Sequence, residues 1–235
     1  MKVLITGDSH TGPLKSGQNL LIGKGEWPQQ IDLTIRPLGN AKFFPTPFFV
    51  DKGDYAEIRN LTYRKQLERL PLPEIENSDT IYGLSGPLHT SRVLRNSAWS
   101  NFVPSQFALN ETPVSNALLH QTILDDCQYL LKLIDIIVRA RKKLFVIEPP
   151  RPFKHNKSLK VIRPEVFSYV DGYYRDFIRQ ELKLRNIPII SVSPDCYDES
   201  GFMLGCYRSP KEHDMHHGNA QFGELMMKKI LEFLI

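Results

Sequence analysis

The chain has 235 residues, which is enough to bury a full hydrophobic core without disulfides or metal ions. Its 30 basic and 26 acidic side chains leave a formal net charge of +4, too small an excess to indicate nucleic acid as a main partner. Three cysteines form no zinc-type pair spacing, and their odd number favours a reducing compartment over a disulfide framework.

No stretch approaches the roughly 20 consecutive apolar residues of a membrane-spanning helix. The first residues have the pattern of a strand rather than of a signal peptide. We therefore expect a cytoplasmic protein with one domain over residues 1–235.

Short apolar runs bounded by turn residues alternate with longer stretches that have helical spacing, and this alternation predicts a parallel sheet. The predicted strands are 3–6, 31–35, 80–84, 144–147 and 189–192. The predicted helices are 114–143, 164–184 and 220–234. Pro164 suits the first turn of the second helix, and Asn219 suits the N-cap of the third.

Two segments, about 40–77 and 96–112, do not fit this alternation and are predicted insertions. Both are rich in aromatic residues, at 43–49 and 99–107. They are candidate walls of an apolar site for an acyl group or a sugar, and the alternative is ordinary packing of the insertions against the domain.

Two short blocks near the ends of the chain carry the chemistry. The first is Gly7-Asp8-Ser9-His10, directly after the first strand, and the second is Asp214-Met215-His216-His217. A serine hydroxyl becomes a good nucleophile when an imidazole removes its proton, and the imidazole needs a carboxylate to fix its tautomer. Ser9, His217 and Asp214 supply that set.

Taken together, the two blocks resemble those of the SGNH/GDSL hydrolases, a superfamily of serine esterases and acyl hydrolases. The order of the blocks and the final helix after His217-Gly218-Asn219 also match this family. The resemblance implies a flavodoxin-like three-layer α/β/α sandwich with about five parallel strands, in agreement with the five predicted runs. It further implies a Ser9-His217-Asp214 triad that forms an acyl-enzyme and needs no metal ion or cofactor.

The resemblance also assigns an oxyanion hole. The Ser9 N–H is one expected donor, and Gly39 stands where the second family block contributes a glycine N–H. The third block is usually Gly-x-Asn-Asp, but residues 83–89 contain no asparagine. Ser85, His89 or a backbone N–H such as that of Gly86 is the expected substitute.

Other interpretations of the same residues remain open. An O-acyltransferase would use the same triad, and a non-catalytic binding protein would explain the missing asparagine. A metal-dependent phosphoesterase would use Asp8, His10 and Asp54. The cluster His213, Asp214, His216 and His217 is an alternative metal site, because His213 and His217 at i, i+4 would share a helical face. In the esterase interpretation Asp8 stabilises the turn, and His216 flanks the site.

The segment 149–164 has several basic residues and no acidic one. It is either a solvated loop or a binding surface for an anionic substrate, with Arg151 and Lys154 as candidate contacts. The expected substrate is a small-molecule or glycan ester. Protonation of His217 predicts an acid limb of activity at roughly pH 6 to 7.

Overall fold

A computed structural model of the chain describes residues 1–59, 71–75 and 79–235. The strands in these ranges are β1 (Lys2–Gly7), β2 (Asp32–Pro37), β3 (Phe49–Asp51), β4 (Ala56–Ile58), β5 (Ile81–Ser85), β6 (Phe102–Pro104), β7 (Thr112–Val114), β8 (Leu144–Ile147) and β9 (Ile189–Ile190). The helices are α1 (Thr11–Gly23), α2 (Ser91–Leu94), α3 (Asn116–Arg139), α4 (Pro164–Leu184) and α5 (Ala220–Leu234). None of the described helices is both long and apolar enough to cross a membrane.

The central sheet is parallel throughout and has the strand order β2-β1-β5-β8-β9. Numbered within this sheet alone, the order is 2-1-3-4-5, which is the flavodoxin-like arrangement. The expected fold class is therefore confirmed. Because all five strands run the same way, their carboxyl ends lie at one edge of the sheet, where ligands bind in such folds.

Helices cover both faces of the sheet because its strands are apolar on both sides. Val3 and Ile5 of β1 belong to one buried cluster with residues of α1 and α5. Leu84 and Val146, on β5 and β8, belong to a second cluster with residues of α3 and α4. Two cores therefore flank one sheet, which gives the three layers.

The three predicted helices form close to their predicted bounds. Proline occupies the first turn of α4, and the Asn219 side chain accepts a hydrogen bond from the Phe222 N–H at 3.0 Å as the N-cap of α5. The helix α1 was not predicted, since Gly12, Pro13 and Gly17 weaken both its helical propensity and its apolar periodicity.

The aromatic residues of the two insertions pack mainly into the core. Phe44, Phe48 and Trp99 are buried within the cluster that includes α3 and α4. Of the two interpretations of these segments, the structure supports ordinary packing for these three rings. Residues 60–70 and 76–77 of the first insertion lie outside the described residues.

Helices α1 and α5 contact each other at two glycines. A Cβ added to Gly17 would lie 2.1 Å from the Gly223 carbonyl carbon, and a Cβ added to Gly223 would lie 1.8 Å from the Pro13 carbonyl oxygen. Both distances are far below van der Waals contact with rigid backbone. The approach of the two helices therefore requires glycine at both positions.

We expect Gly223→Ala to destabilise the protein by about 1 to 3 kcal/mol or more, because the added methyl must force the helices apart. The matched control is Gly172→Ala in α4, where an added Cβ meets nothing within 4 Å. The control should be neutral or slightly stabilising, since alanine is the better helix former. Urea unfolding monitored by circular dichroism measures both variants, and equal midpoints for the two would contradict this account.

Candidate active site

Ser9 lies in the turn between β1 and α1, at the carboxyl edge of the sheet. Gly7 ends β1 with φ +145°, and a Cβ there would lie 1.8 Å from the Ser85 carbonyl oxygen. Glycine therefore allows β1 and β5 to end in close contact, and the Asp8 N–H donates to the same oxygen at 3.3 Å. Ser9 is exposed between two buried residues, Asp8 and His10. The turn thus presents one hydroxyl to solvent.

Asp214 and His217 lie in the loop that connects β9 to α5. The Ser209 N–H donates to the His217 carbonyl at 3.0 Å, which ties this part of the loop to an adjacent segment. The His217 N–H donates to Asp214 Oδ1 at 3.1 Å. These bonds fix the two side chains in one short turn.

The structure brings the three predicted residues into one hydrogen-bonded series. Ser9 Oγ is 2.7 Å from His217 Nε2. His217 Nδ1 is 2.8 Å from Asp214 Oδ1 and 3.0 Å from Oδ2. Because the carboxylate accepts only, the neutral ring donates from Nδ1 and accepts the Ser9 proton at Nε2.

The protonation states suit this direction of the hydrogen bonds. Burial by itself raises the pKa of Asp214, but hydrogen bonds from the His217 ring and backbone lower it to about 2. Burial lowers the pKa of His217, and the neighbouring His10 ring lowers it further, although Asp214 opposes both effects. Asp214 is therefore ionised and His217 neutral at neutral pH.

A second carboxylate, Asp8, lies beneath the serine turn and is completely buried. Its Oδ1 accepts hydrogen bonds from the His10 N–H at 3.0 Å and from His10 Nδ1 at 3.1 Å, and its Oδ2 is 2.5 Å from His89 Nδ1. Burial raises the pKa of Asp8, but the His10 and His89 rings more than offset this and hold it well below its usual value. The expected role of Asp8 in the turn is confirmed, and the carboxylate also orients two imidazoles.

His216 connects this group to an exposed arginine. Arg95 Nη2 donates to His216 Nδ1 at 2.6 Å. Burial lowers the pKa of His216 to about 3, and the nearby His10 and His217 rings and the Arg95 guanidinium contribute to the lowering. His216 is therefore neutral, with its remaining proton on Nε2. This agrees with its expected position beside the site.

The candidate oxyanion donors differ in their availability. The Gly39 N–H donates to the Gly7 carbonyl at 3.2 Å, so it would have to exchange that partner. The structure shows no hydrogen bond from the N–H of Ser9 or Gly86 to another described residue. His89 is not a free donor, because Nδ1 donates to Asp8 and Nε2 contacts the Ser91 hydroxyl. The Ser85 hydroxyl lies 3.5 Å from Asp8.

The two basic residues predicted to contact substrate differ in whether a carboxylate neutralises their charge. Lys154 forms an ion pair with Asp198 at 2.9 Å. The Arg151 guanidinium lies 4.8 Å from the centroid of the Tyr197 ring, and no ion pair joins it to a described carboxylate. Arg151 also lines a cavity of about 10 Å³ together with His10 and His216, which is room for about one water molecule. Arg151 thus lies beside the site, whereas the charge of Lys154 is compensated.

The residues of the metal-dependent alternatives assemble only in part. Asp54 lines a cavity with Arg139 at the end of α3, on the opposite edge of the sheet from Asp8 and His10. His213 lies in an exposed turn, so it shares no helical face with His217. Two other groups, His10 with His89 and His216, and Asp214 with His216 and His217, have possible ligand atoms within 4.8 Å of one another. Both ring nitrogens of His10, His89 and His217, and Nδ1 of His216, already have hydrogen-bond partners within the protein.

The shared environment of His10, His89, His216 and Arg95 is not predicted from the sequence. A signal exists in the sequence, since His10 follows Ser9 directly and His216 precedes His217. The position of His89 and Arg95 depends on the turn after β5, which no local pattern predicts.

The comparisons with known proteins identify the fold. No family model and no curated protein matches the sequence. The acetyl xylan esterase AlAXEase matches with a TM-score of 0.52 and 14% identity, over 100% of both chains. A G-D-S-L family protein from Desulfitobacterium hafniense matches with 0.53 and 11% identity, over 98% of both chains. A GDSL-like lipase from Bacteroides thetaiotaomicron matches with 0.50 and 10% identity, over 100% of this chain and 89% of the other.

The chain therefore has the fold of GDSL-type esterases and lipases. This confirms, at the level of the fold, the resemblance that the two end blocks predicted.

We expect the folded protein to lose stability as the pH falls below about 6.5, where histidines of the unfolded chain become protonated. The pKa values of His89, His216 and His217 are all lowered in the folded state, so the unfolded state binds more protons in this range. The urea midpoint at about pH 5 should lie below that at about pH 7.5. His216→Gln should reduce this difference, whereas His213→Gln, at an exposed position, should not. A midpoint that is independent of pH would contradict the burial of neutral histidines.

Proposed function

We propose that this protein is a serine-dependent hydrolase of acyl esters. The observation that carries the proposal is the alignment of Ser9 Oγ, His217 and Asp214 through contacts of 2.7 and 2.8 Å. Nucleophile, base and orienting carboxylate stand in the order that acyl transfer requires. The exposure of Ser9 gives an ester access to the hydroxyl.

In the proposed reaction, Ser9 Oγ attacks the ester carbonyl carbon while its proton passes to His217 Nε2. Asp214 stabilises the resulting imidazolium. The tetrahedral intermediate collapses to an acyl-enzyme as His217 protonates the departing alcohol. Water then attacks the acyl carbonyl, with His217 again accepting the proton, and Ser9 is released.

The negative oxygen of the intermediate needs hydrogen-bond donors. We assign the first to the Ser9 N–H and the second to the N–H of Gly39 or Gly86. Both glycines are buried at the carboxyl edge of the sheet. Gly39 follows β2 and Gly86 follows β5, the two strands that flank β1. A pair of backbone donors would act without the asparagine that residues 83–89 lack.

The proposed substrate is a small or carbohydrate-linked ester. The match in fold to an acetyl xylan esterase supports a carbohydrate ester. Two guanidinium groups, those of Arg95 and Arg151, lie near the site without a described carboxylate partner, which supports a substrate that carries negative charge. If a sugar hydroxyl takes the place of water, the same residues act as an O-acyltransferase. Three free cysteines support the proposed cytoplasmic location.

A fluorophosphonate probe should label Ser9, as peptide mapping by mass spectrometry would show. Ser9→Ala should abolish labelling and lower the turnover of a soluble acetate ester by about 10³-fold or more. Ser16→Ala, at an exposed position in α1, is the matched control and should behave like the unmodified protein. A labelled residue other than Ser9, or ester hydrolysis that persists in Ser9→Ala, would contradict the assignment.

The kcat/KM for the same ester should decrease as the pH is lowered. The midpoint of this decrease should lie below about pH 6.5, the usual pKa of histidine. The direction follows from the lowered pKa of His217, which keeps the base neutral to lower pH. This revises the range of 6 to 7 expected from the sequence. A limb at or above the usual value, or a flat profile down to about pH 5, would count against His217 as the base.

A further inference from the structure

Four histidine rings come together at this site. The ring centroid of His10 lies 4.2 Å from that of His89, 4.9 Å from that of His217 and 5.5 Å from that of His216. The centroids of His216 and His217 are 3.9 Å apart. Protonation of any one ring therefore affects the others strongly. The hydrogen-bond partners indicate which ring nitrogens carry a proton.

Three of the four rings have partners that a neutral imidazole satisfies. His217 donates to Asp214 and accepts from Ser9. His89 donates to Asp8 and accepts from the Ser91 hydroxyl. His216 accepts at Nδ1 from Arg95, whose guanidinium can only donate.

His10 differs because both of its ring nitrogens face acceptors. Nδ1 lies 3.1 Å from Asp8 Oδ1, and Nε2 lies 3.3 Å from the His216 main-chain carbonyl. An ionised carboxylate and a carbonyl have no proton to give. A neutral His10 would leave one nitrogen lone pair against an oxygen lone pair in a buried site, whereas an imidazolium satisfies both contacts.

We propose that His10 is a positioning residue that carries a fixed proton at neutral pH and fastens the serine turn to the loop that holds the catalytic base. The role deepens, and rests on, the proposed hydrolase function. On one side His10 is anchored to the buried Asp8, one residue before Ser9. On the other side it holds the carbonyl of His216, one residue before His217. The contact spans 206 positions of the sequence and joins the two halves of the triad.

The fixed charge has a second effect, on the base itself. A cation beside His217 disfavours a second positive charge there, so the base stays neutral at lower pH. Other groups contribute to the same field and must be left unchanged in any test. They are Asp8 from the β1–α1 turn, Asp214 and His216 from the β9–α5 loop, His89 and Arg95 from the segment after β5, and Arg151 and His155 from the segment after β8.

The proton can be observed directly, without activity. In protein labelled with ¹⁵N-histidine, nuclear magnetic resonance at about pH 7 distinguishes a doubly protonated ring from a neutral one. The signals that disappear in His10→Gln identify His10. Two protonated nitrogens on His10, with one on each of His89, His216 and His217, are expected. A neutral His10 ring would overturn the proposal whether or not the protein is an esterase.

Two substitutions separate the contact between His10 and the His216 carbonyl from the charge of His10. The amide of His10→Gln places its nitrogen near the position of Nε2 and keeps a donor for the His216 carbonyl. The amide of His10→Asn places its nitrogen near the position of Nδ1 and keeps only the donor for Asp8. Both remove the charge, and His213→Gln serves as the control for loss of a nearby histidine.

In both His10 variants we expect the acid limb of kcat/KM to move up by about one pH unit or more, because the neighbouring cation is gone. The plateau kcat of His10→Gln should stay within about tenfold of the unmodified protein, and that of His10→Asn should fall further, since a small misplacement of the base can cost about 10²-fold. An unmoved limb in His10→Gln would overturn the fixed charge. Equal plateau kcat values in the two variants would overturn the positioning role of the contact with the His216 carbonyl.

Discussion

The candidate site depends on one buried carboxylate. Asp8 lies wholly inside the protein and binds the His10 backbone, the His10 ring and the His89 ring. Removing a partner from such a buried ionic group typically lowers the free energy of unfolding by about 3 to 5 kcal/mol, because the remaining charge is buried without solvation. The geometry of Ser9 follows from this anchor, since the serine lies between Asp8 and His10 in a turn that both residues fix. The loop with His217 then follows through the contact of His10 with the His216 carbonyl.

A second buried ionic group fixes the neighbouring segment. Glu148 directly follows β8, and its carboxylate accepts hydrogen bonds from Arg175 at 3.1 Å, from Arg179 at 2.6 Å and from the Val192 N–H at 3.0 Å. These contacts tie the ends of β8 and β9 to α4. The segment that carries Arg151 therefore leaves the sheet in a defined direction. The two sides of the site are therefore fixed by two buried carboxylates, Asp8 and Glu148, each of which has cationic or hydrogen-bonding partners.

The sequence predicts the fold well where the signals are local. The five apolar runs and the long amphipathic helices depend on periodicity, and the Asn219 cap depends on one side chain. The helix α1 lacks such a local signal, because one of its glycines, Gly17, is required by packing against α5, and that contact is made by residues about 200 positions away. The proposed triad follows from two short blocks, but the group around Asp8 does not. His89 and Arg95 reach it only through the turn after β5, and no spacing in the chain encodes that meeting.

The distance along the chain between the proposed nucleophile and the proposed base has a consequence for biosynthesis. Ser9 and His217 are 208 positions apart, and the base lies just before the last helix. A ribosome releases the serine turn long before it releases the imidazole that activates it. During translation the hydroxyl is therefore as inert as that of any surface serine. In the proposed mechanism the serine becomes reactive only once α5 has docked onto α1, so the growing polypeptide carries no activated nucleophile.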